Sequence, residues 1–325
     1  MYNIMEKLDL KDKRILYQLD RDSRQSLTQI GKKVGLPKNV VAYRINKLQK
    51  NGIIKSYHTV INAHKLGYII LRFYFTYQYI TPEIKKEIID YFIKSRFSGI
   101  VHTIEGKYDL AMYMYIKNLP EFHKFWQKTL TKYRDYFAEQ ILSFYLEEDL
   151  YDFGSLFLEN NSNRKKVIVF GGKEPVKIDE LDKEILKIIG PNARVPAKDI
   201  AEKLGITAIT VSNRIKKLKG EGIIQWFKTN IDFAKIGYRW HKVDIVLRDQ
   251  KRIPQIINYV SQNPRFVCVD KTIGYVDLEL EFILKNINEL HQIMEDLSLK
   301  FPNTIRSYDY VYVVETHKYE YLPTG

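Results

Sequence analysis

Residues 8–68 read LDLKDKRILYQLDRDSRQSLTQIGKKVGLPKNVVAYRINKLQKNGIIKSYHTVINAHKLGY, and residues 178–238 read IDELDKEILKIIGPNARVPAKDIAEKLGITAITVSNRIKKLKGEGIIQWFKTNIDFAKIGY. They align without a gap at an offset of 170, with 22 identities in 61 positions. Self-similarity of this kind marks a duplication. The stretches that follow match more weakly, at an offset of 168. Gly106-Lys-Tyr-Asp109-Leu pairs with Gly274-Tyr-Val-Asp277-Leu, and Asn118-Leu-Pro-Glu121-Phe-His123 with Asn286-Ile-Asn-Glu289-Leu-His291. The order is A–B–A′–B′. Residues 151–176, with Asn160-Asn-Ser-Asn163 and Gly171-Gly172, have the composition of a linker, and Val167–Phe170 suits a short strand. The 325 residues thus divide into 1–66, 67–150, a linker 151–176, 177–237 and 238–325.

Each A unit predicts three helices and a β segment. In the first copy Asp9 or Asp12 can begin helix one, with Leu8, Ile15, Leu16 and Leu19 as its apolar face. Helix two covers about 26–34 and ends at Gly35, a residue free to adopt positive φ. Helix three covers about 37–51. Pro37 falls in its first turn, where a missing N–H costs nothing, and Thr207 of the second copy is an N-cap residue. Gly52 and Gly222 close helix three, and Ile53-Ile54 and Ile223-Ile224 open a β-ribbon. Helix, helix, short turn, helix and ribbon is a winged helix-turn-helix pattern.

At 100° per residue, Val41, Ile45 and Leu48 form the core side of helix three, matched by Val211, Ile215 and Leu218. Asn39, Tyr43, Asn46 and Lys50 point away, with Lys38, Arg44 and Lys47 beside them; the second copy offers Ile209, Asn213, Lys216, Lys217 and Arg214. A solvated helix face has such a composition, and so does a face that enters a major groove. There Asn pairs with adenine edges, Lys with guanine or phosphate, and Ile with a thymine methyl.

Charge decides between the two. The chain carries 52 basic and 39 acidic residues, a net +13. Residues 1–66 hold +9 and 177–237 hold +4, while 67–150 are neutral and 238–325 carry −1. The A units therefore supply the whole excess, as two polyanion-binding heads on a neutral scaffold would.

The B units each predict the order βαββαβ, a ferredoxin-like unit. In the first, strands are expected at 68–79, 99–105, 109–117 and 137–147, with helices at 82–94 and 118–133; the second repeats them. The G-x-x-D turns at Gly106–Asp109 and Gly274–Asp277 either line a small-ligand cleft or are ordinary hairpin turns, since Gly and Asp favour turns. The fold class is α+β: two winged helix-turn-helix domains alternating with two ferredoxin-like domains.

The sequence also resembles a family. Asp12-x-x-Ile15-Leu16, Asp22-Ser-Arg24, Val41-x-x-Arg44-Ile-x-x-Leu48-x-x-x-Gly52-Ile-Ile and Gly106-x-Tyr-Asp109 are similar to the leucine-responsive/AsnC, or feast/famine, transcriptional regulators. Asp182-Lys-Glu-Ile185-Leu186, Asn192-Ala-Arg194, Val211-x-x-Arg214-Ile-x-x-Leu218-x-x-x-Gly222-Ile-Ile and Gly274-x-x-Asp277 match again. The resemblance implies double-stranded DNA as partner, recognised through the helix-three residues above. It also implies an amino-acid effector in the AsnC-type domains, near Gly106, Asp109, Gly274 and Asp277. Two departures are the second copy and Pro37, which stands where the family usually has serine. The sirohaem decarboxylases share the arrangement and form the enzyme alternative, but no His-Asn-Tyr segment of their kind stands at the G-x-Y-D turn.

Other classes fit poorly. The seven histidines show no HExxH or Cys/His metal spacing, and neither G-x-S-x-G nor a P-loop occurs, so no metal, cofactor or catalytic residue is expected. His123 and His291 read as packing or surface residues, and Glu147-Glu148-Asp149 as a solvated acidic run. A single cysteine, Cys268, excludes an internal disulfide framework, and no apolar run reaches the ~18 residues of a membrane span. The expected location is cytoplasmic. One chain is expected to act as a built-in pseudo-dimer, B and B′ pairing face to face, with room for further association of chains.

Overall fold

The computed structural model describes residues 8–158, 164–171 and 174–322; the predicted linker residues Asn160–Asn163 and Gly172 lie outside these. The first head contains α1 (Leu10–Arg21), α2 (Leu27–Val34), α3 (Lys38–Lys50) and β1 (Ile54–Ile61). Asp9 caps α1, its carboxylate accepting the Asp12 N–H at 2.8 Å. Ser26 and Gln29 form a reciprocal capping box at α2, and Gly35 ends that helix at φ +68°. Pro37 is the N-cap of α3, one position earlier than expected, and offers it no side-chain acceptor.

Chain order continues with β2 (Ile69–Tyr77), α4 (Pro82–Ile93), β3 (Ser98–Gly106), β4 (Leu110–Ile116), α5 (Leu119–Tyr133), β5 (Phe137–Tyr151), the single turn α6 (Gly154–Phe157) and β6 (Lys166–Ile168). The second half repeats the plan. Its head contains α7 (Glu180–Ile189), α8 (Ala197–Leu204), α9 (Ala208–Gly220) and β7 (Ile224–Ile231). Then come β8 (Arg239–Leu247), α10 (Ile253–Val260), β9 (Phe266–Ile273), β10 (Leu278–Leu284), α11 (Ile287–Lys300) and β11 (Ile305–Tyr319). Thr207 caps α9 as expected, accepting the Thr210 N–H at 3.1 Å.

The ribbon differs from a wing closed within each head. β1 pairs antiparallel with β7, so each head contributes one strand to a shared two-stranded sheet. Among the described residues neither strand has a second one in its own head, and pairing across the heads satisfies backbone groups that would otherwise be buried unpaired.

The ferredoxin-like units face each other across a shared interior, where Arg72 of one meets Glu279 of the other, and they also join along their edges. Residues 137–145 of β5 pair with β2 in their own unit, and residues 144–150 pair with β9 of the other. Likewise β11 pairs through 305–312 with β8 and through 311–319 with β3. The circuit β2-β4-β3-β11-β8-β10-β9-β5 closes through β2–β5 into an eight-stranded barrel. Closure joins the outer strands of one unit to those of the other, so that β5 and β11 each pair with strands of both. Alternation then sorts the side chains. Leu71, Phe73 and Phe75 face Ile88, Phe92 and Phe122 of the outer helices. Arg72, Tyr74, Lys242, Asp244, Asp270, Glu279 and Glu281, all buried, belong to the barrel interior.

The expected strand in the linker is present and built into the fold. β6 adds to residues 149–151 of β5, and the following Val169 and Phe170 are fully buried. Asn62 donates to the Gly171 carbonyl, and the Gly171 N–H donates to His64 Nδ1, each at 2.9 Å.

Candidate nucleic-acid interface

In α3, Val41, Ile45 and Leu48 are buried, while Lys38, Asn39, Tyr43, Asn46, Lys47 and Lys50 are exposed. In α9, Val211, Ile215 and Leu218 are buried, while Ile209, Asn213, Lys216 and Lys217 are exposed. Tyr43 and Ile209 are 69% and 73% exposed.

Arg44 and Arg214, expected beside the groove face, are ion-paired within their own heads. Arg44 bonds Asp9 at 2.7 Å and Asp12 at 2.8 Å. Arg214 bonds Asp179, and Asp182 at 3.2 Å. Each ties its recognition helix to the start of helix one. Lys217 also reaches Asp182, at 3.1 Å, although its side chain is exposed. An acid and a base repeated in both copies, Asp12 with Arg44 and Asp182 with Arg214, was the available sign of a structural pair.

Reciprocal bonds lock the heads together. Arg24 donates to the Ala193 carbonyl and, at 3.1 Å, to that of Val195; Arg194 donates to Ser23 and, at 3.3 Å, to Gln25. Lys65 Nζ meets the Glu221 carbonyl at the end of α9, at 2.5 Å, and Lys235 Nζ meets Asn51 at the end of α3, at 2.6 Å. Each recognition helix therefore has its negative end covered by a cation from the other head. In the sequence Arg24 and Arg194 stand out only as motif residues, because acceptors that are backbone carbonyls leave no signature. Replacing both arginines by alanine leaves four carbonyls short of donors and should cost about 2–4 kcal/mol in denaturant unfolding. In band shifts the double variant should also discriminate less between half-site spacings.

The G-x-x-D turns meet at the junction of the units, where Tyr108 and Tyr275 join hydroxyls at 3.0 Å. Their carboxylates are spent locally. Asp109 accepts the Tyr77 N–H at 2.8 Å; Asp277 accepts the Leu247 N–H and the Gln250 amide, both at 2.7 Å. Gly106 and Gly274 have φ +130° and +108°, and at Gly106 a Cβ would collide with the Tyr310 carbonyl. These glycines fit the hairpin-turn reading.

Between the ribbon and the barrel interior lies a cavity of about 380 Å³. Tyr145, Trp240, Tyr319 and Tyr321 give it aromatic walls, and His58, His102, Glu148, Lys242 and Glu281 also line it. This corrects the reading of Glu147–Asp149 as solvated: Glu148 and Asp149 are 8% and 5% exposed, because β5 continues through them into the second unit. Burial, and then the Asp270 and Glu281 carboxylates, push Glu148 well above the usual carboxylate range. Burial lowers His58 and His102 to about 3, so both are neutral. Cys268, Asp270 and Glu281 have the spacing of metal ligands. There the Lys242 ammonium supplies the cation, bonding Asp270, Glu279 at 2.8 Å and Glu281 at 2.9 Å. His123 and His291 are exposed.

Among the described residues no helix is long and apolar enough to cross a membrane. A family profile described as winged helix-turn-helix DNA-binding matches residues 8–55 and 178–225. An uncharacterised HTH-type transcriptional regulator of Pyrococcus abyssi is 31% identical over 118 residues, 36% of this chain and 80% of that protein. The regulatory protein AsnC of Haemophilus influenzae is 30% identical over 118 residues, 36% of this chain and 79% of its own length. Over the whole chain, the crystal structure of the sirohaem decarboxylase NirDL superposes with a TM-score of 0.61 at 12% identity, covering 96% of this chain and 94% of that one. A second structure of that enzyme, a co-complex with an iron-uroporphyrin III analogue, gives 0.61 at 13% over the same shares. At these identities the likeness concerns the fold.

Proposed function

The chain belongs to the AsnC family of helix-turn-helix transcriptional regulators, and on that premise we propose that a single chain binds two half-sites of duplex DNA as a pseudo-dimer. The observation that carries this reading is the reciprocal locking of two heads whose recognition helices both expose a basic, partly apolar face. Helix-turn-helix dimers place such helices on half-sites about 34 Å apart, one turn of DNA or a multiple of it. Here the two faces differ, with Asn39 and Tyr43 against Ile209 and Asn213, so the operator need not be a palindrome. The DNA-facing residues in this proposal are Lys38, Asn39, Tyr43, Asn46, Lys47, Lys50, Ile209, Asn213, Lys216 and Lys217, with Arg44 and Arg214 holding the helices in place. Analytical ultracentrifugation with duplexes of varied spacing tests it. A complex with one 38.6 kDa chain on two half-sites is expected. Protection of two half-sites only by a two-chain species would overturn the pseudo-dimer.

Specificity should reside in the asparagines. Asn39→Ala or Asn213→Ala should relax preference at one base position by about 1–3 kcal/mol if the contact is bidentate, read by selection from a randomised duplex pool. An unchanged profile for the double variant would refute this face assignment. The proposal includes modulation by a small molecule such as an amino acid, acting at the joined turns of Gly106–Asp109 and Gly274–Asp277. A rise in melting midpoint with an amino acid, lost in Asp109→Asn with Asp277→Asn, would support it.

A second reading, an enzyme acting on an iron porphyrin, draws on the whole-chain likeness to the decarboxylase and on a cavity holding two neutral histidines. The basic recognition helices favour DNA. Titration of the protein with an iron porphyrin distinguishes the two, since axial histidine ligation would shift the Soret band.

A further inference from the structure

The barrel interior holds more carboxyl groups than its cations can neutralise. Arg72 and Lys242 face Glu148, Asp244, Asp270, Glu279 and Glu281. Of the cations lining the cavity, Lys242 takes the three carboxylates named above, Lys228 is 2.9 Å from Asp20, Lys55 is 3.3 Å from Asp232, and Arg239 lies 5.1 Å over the Tyr312 ring. Glu281 accepts both the Lys242 ammonium and the Trp240 N–H, the latter at 2.7 Å. Glu148 stands apart from these pairs. It lies on the cavity wall with Tyr145, Tyr319 and Tyr321, while the nearby Cys268 thiol donates to Asp270 at 3.1 Å.

A second observation concerns His58. The residue is 4% exposed, lines the same cavity, and both of its ring nitrogens are buried with no hydrogen-bond partner among the described residues. Its ring sits edge-on to Tyr319 at 4.9 Å and stacks on Tyr321 at 5.7 Å. A buried polar group without a partner is costly, and such groups commonly mark a missing ligand.

We propose that this cavity binds a small organic cation, an ammonium group held between the Glu148 carboxylate, the Tyr145, Tyr319 and Tyr321 rings, and the lone-pair nitrogen of His58. Aromatic faces attract ammonium groups through their quadrupole, and more strongly once water is excluded. The chemistry matches on each side. The ammonium N–H groups donate to a neutral imidazole, which has one acceptor nitrogen, and to a carboxylate. Glu148 releases its proton to solvent as the cation enters, so the net charge added to the barrel interior is zero. The Lys242 ammonium shows that this interior accepts such a group on its carboxylate side. The ammonium can belong to a free amine or to an amino acid, and the test separates these sources.

Thermal-shift measurements on the full chain, without DNA, should use three probes of one carbon skeleton at millimolar concentration: a primary amine, the corresponding α-amino acid and the corresponding carboxylate. The amine is expected to raise the midpoint and the carboxylate is not. A shift with the amino acid that is lost in Glu148→Gln and kept in Asp109→Asn with Asp277→Asn would identify it as an alternative source for this cavity. Glu148→Gln should abolish the response while preserving the fold, because it replaces a carboxyl that is already neutral. Tyr321→Leu should weaken affinity at least tenfold, and Tyr319→Phe, which keeps the ring, should leave it within about twofold. Should Glu148→Gln fail to fold, His58→Phe serves in its place: it keeps the stack on Tyr321, removes the acceptor, and should lower affinity severalfold. No response to any amine, a response that survives Glu148→Gln, or a response confined to the carboxylate would overturn the proposal. None of these outcomes bears on DNA binding, so the two readings fail separately.

Discussion

Affinity for duplex DNA is expected to fall about a thousandfold between ~50 and ~200 mM salt. Six exposed lysines stand on the recognition helices: Lys38, Lys47 and Lys50 on α3, Lys216, Lys217 and Lys219 on α9. With about six phosphates neutralised by the two heads, the slope of log K against log salt should be near −5, because each contact releases about 0.9 of a counterion. A fourfold rise in salt then removes about three powers of ten. The same arithmetic assigns roles. Lys47→Ala should weaken binding on every sequence alike and make the slope shallower by about one, the signature of a phosphate contact. Substituting Asn39 should leave the slope unchanged and alter one base preference. The heads should contribute unequally, since the first carries +9 and the second +4. A slope near zero, measured by fluorescence anisotropy over this salt range, would exclude DNA as the partner of these helices.

The heads were legible because their signals are local. Val41, Ile45 and Leu48 repeat at helical spacing, Gly35 stands where α2 needs a left-handed residue, and the second copy repeats both signals at Val211, Ile215, Leu218 and Gly205. The βαββαβ order was legible for the same reason. The barrel was not. The expected strand 137–147 stops four residues short of β5, and the missing residues Glu148–Tyr151 include those that cross to β9 and join β6. Alternation reports that a strand exists and which side chains share a face; it does not name the partner strand. Without that partner Glu148 has no enclosing wall, and an acidic run reads as solvated. The shared ribbon was hidden in the same way. Ile53-Ile54 and Ile223-Ile224 each announce a strand, and only the folded chain shows that the two pair with each other. Arg44 and Arg214 were visible as repeated cations, and their partners Asp12 and Asp182 were visible too. Helical angle alone cannot show that helix one approaches from that side.

Replacing Arg72 by Met should destabilise the chain by about 3–5 kcal/mol, because it removes one partner of a buried ion pair and leaves the other in the barrel. Arg72 is fully buried on β2 and forks onto Glu279 of β10, one contact measuring 2.7 Å, with its guanidinium 4.5 Å over the Tyr74 ring. The pair joins the two units inside the barrel, at a distance from the strand seams. Lys should not substitute for it, since an ammonium cannot reproduce the planar two-point fork. The pH dependence separates the lost charge from lost packing. Burial alone would raise Glu279, but Arg72 and then Lys242 overcome it and hold the carboxyl at about 2, below its ordinary 4.5. A depressed carboxylate contributes stability that is present above the unfolded value and disappears as pH falls through the folded one. In the variant Glu279 keeps only Lys242 as a cationic partner and can relieve its under-compensated charge by taking a proton, so the deficit should be largest near pH 7 and shrink toward pH 4. A deficit that does not change with pH would point to packing. The neighbours titrate in the opposite sense. Burial, then Asp270, raise Glu281 to about 8, and burial, then Glu279, raise Asp244 to about 7. Their contribution is complete below the unfolded values and is lost as pH rises through the folded ones, so the unsubstituted chain should melt higher near pH 5–6 than near pH 8–9.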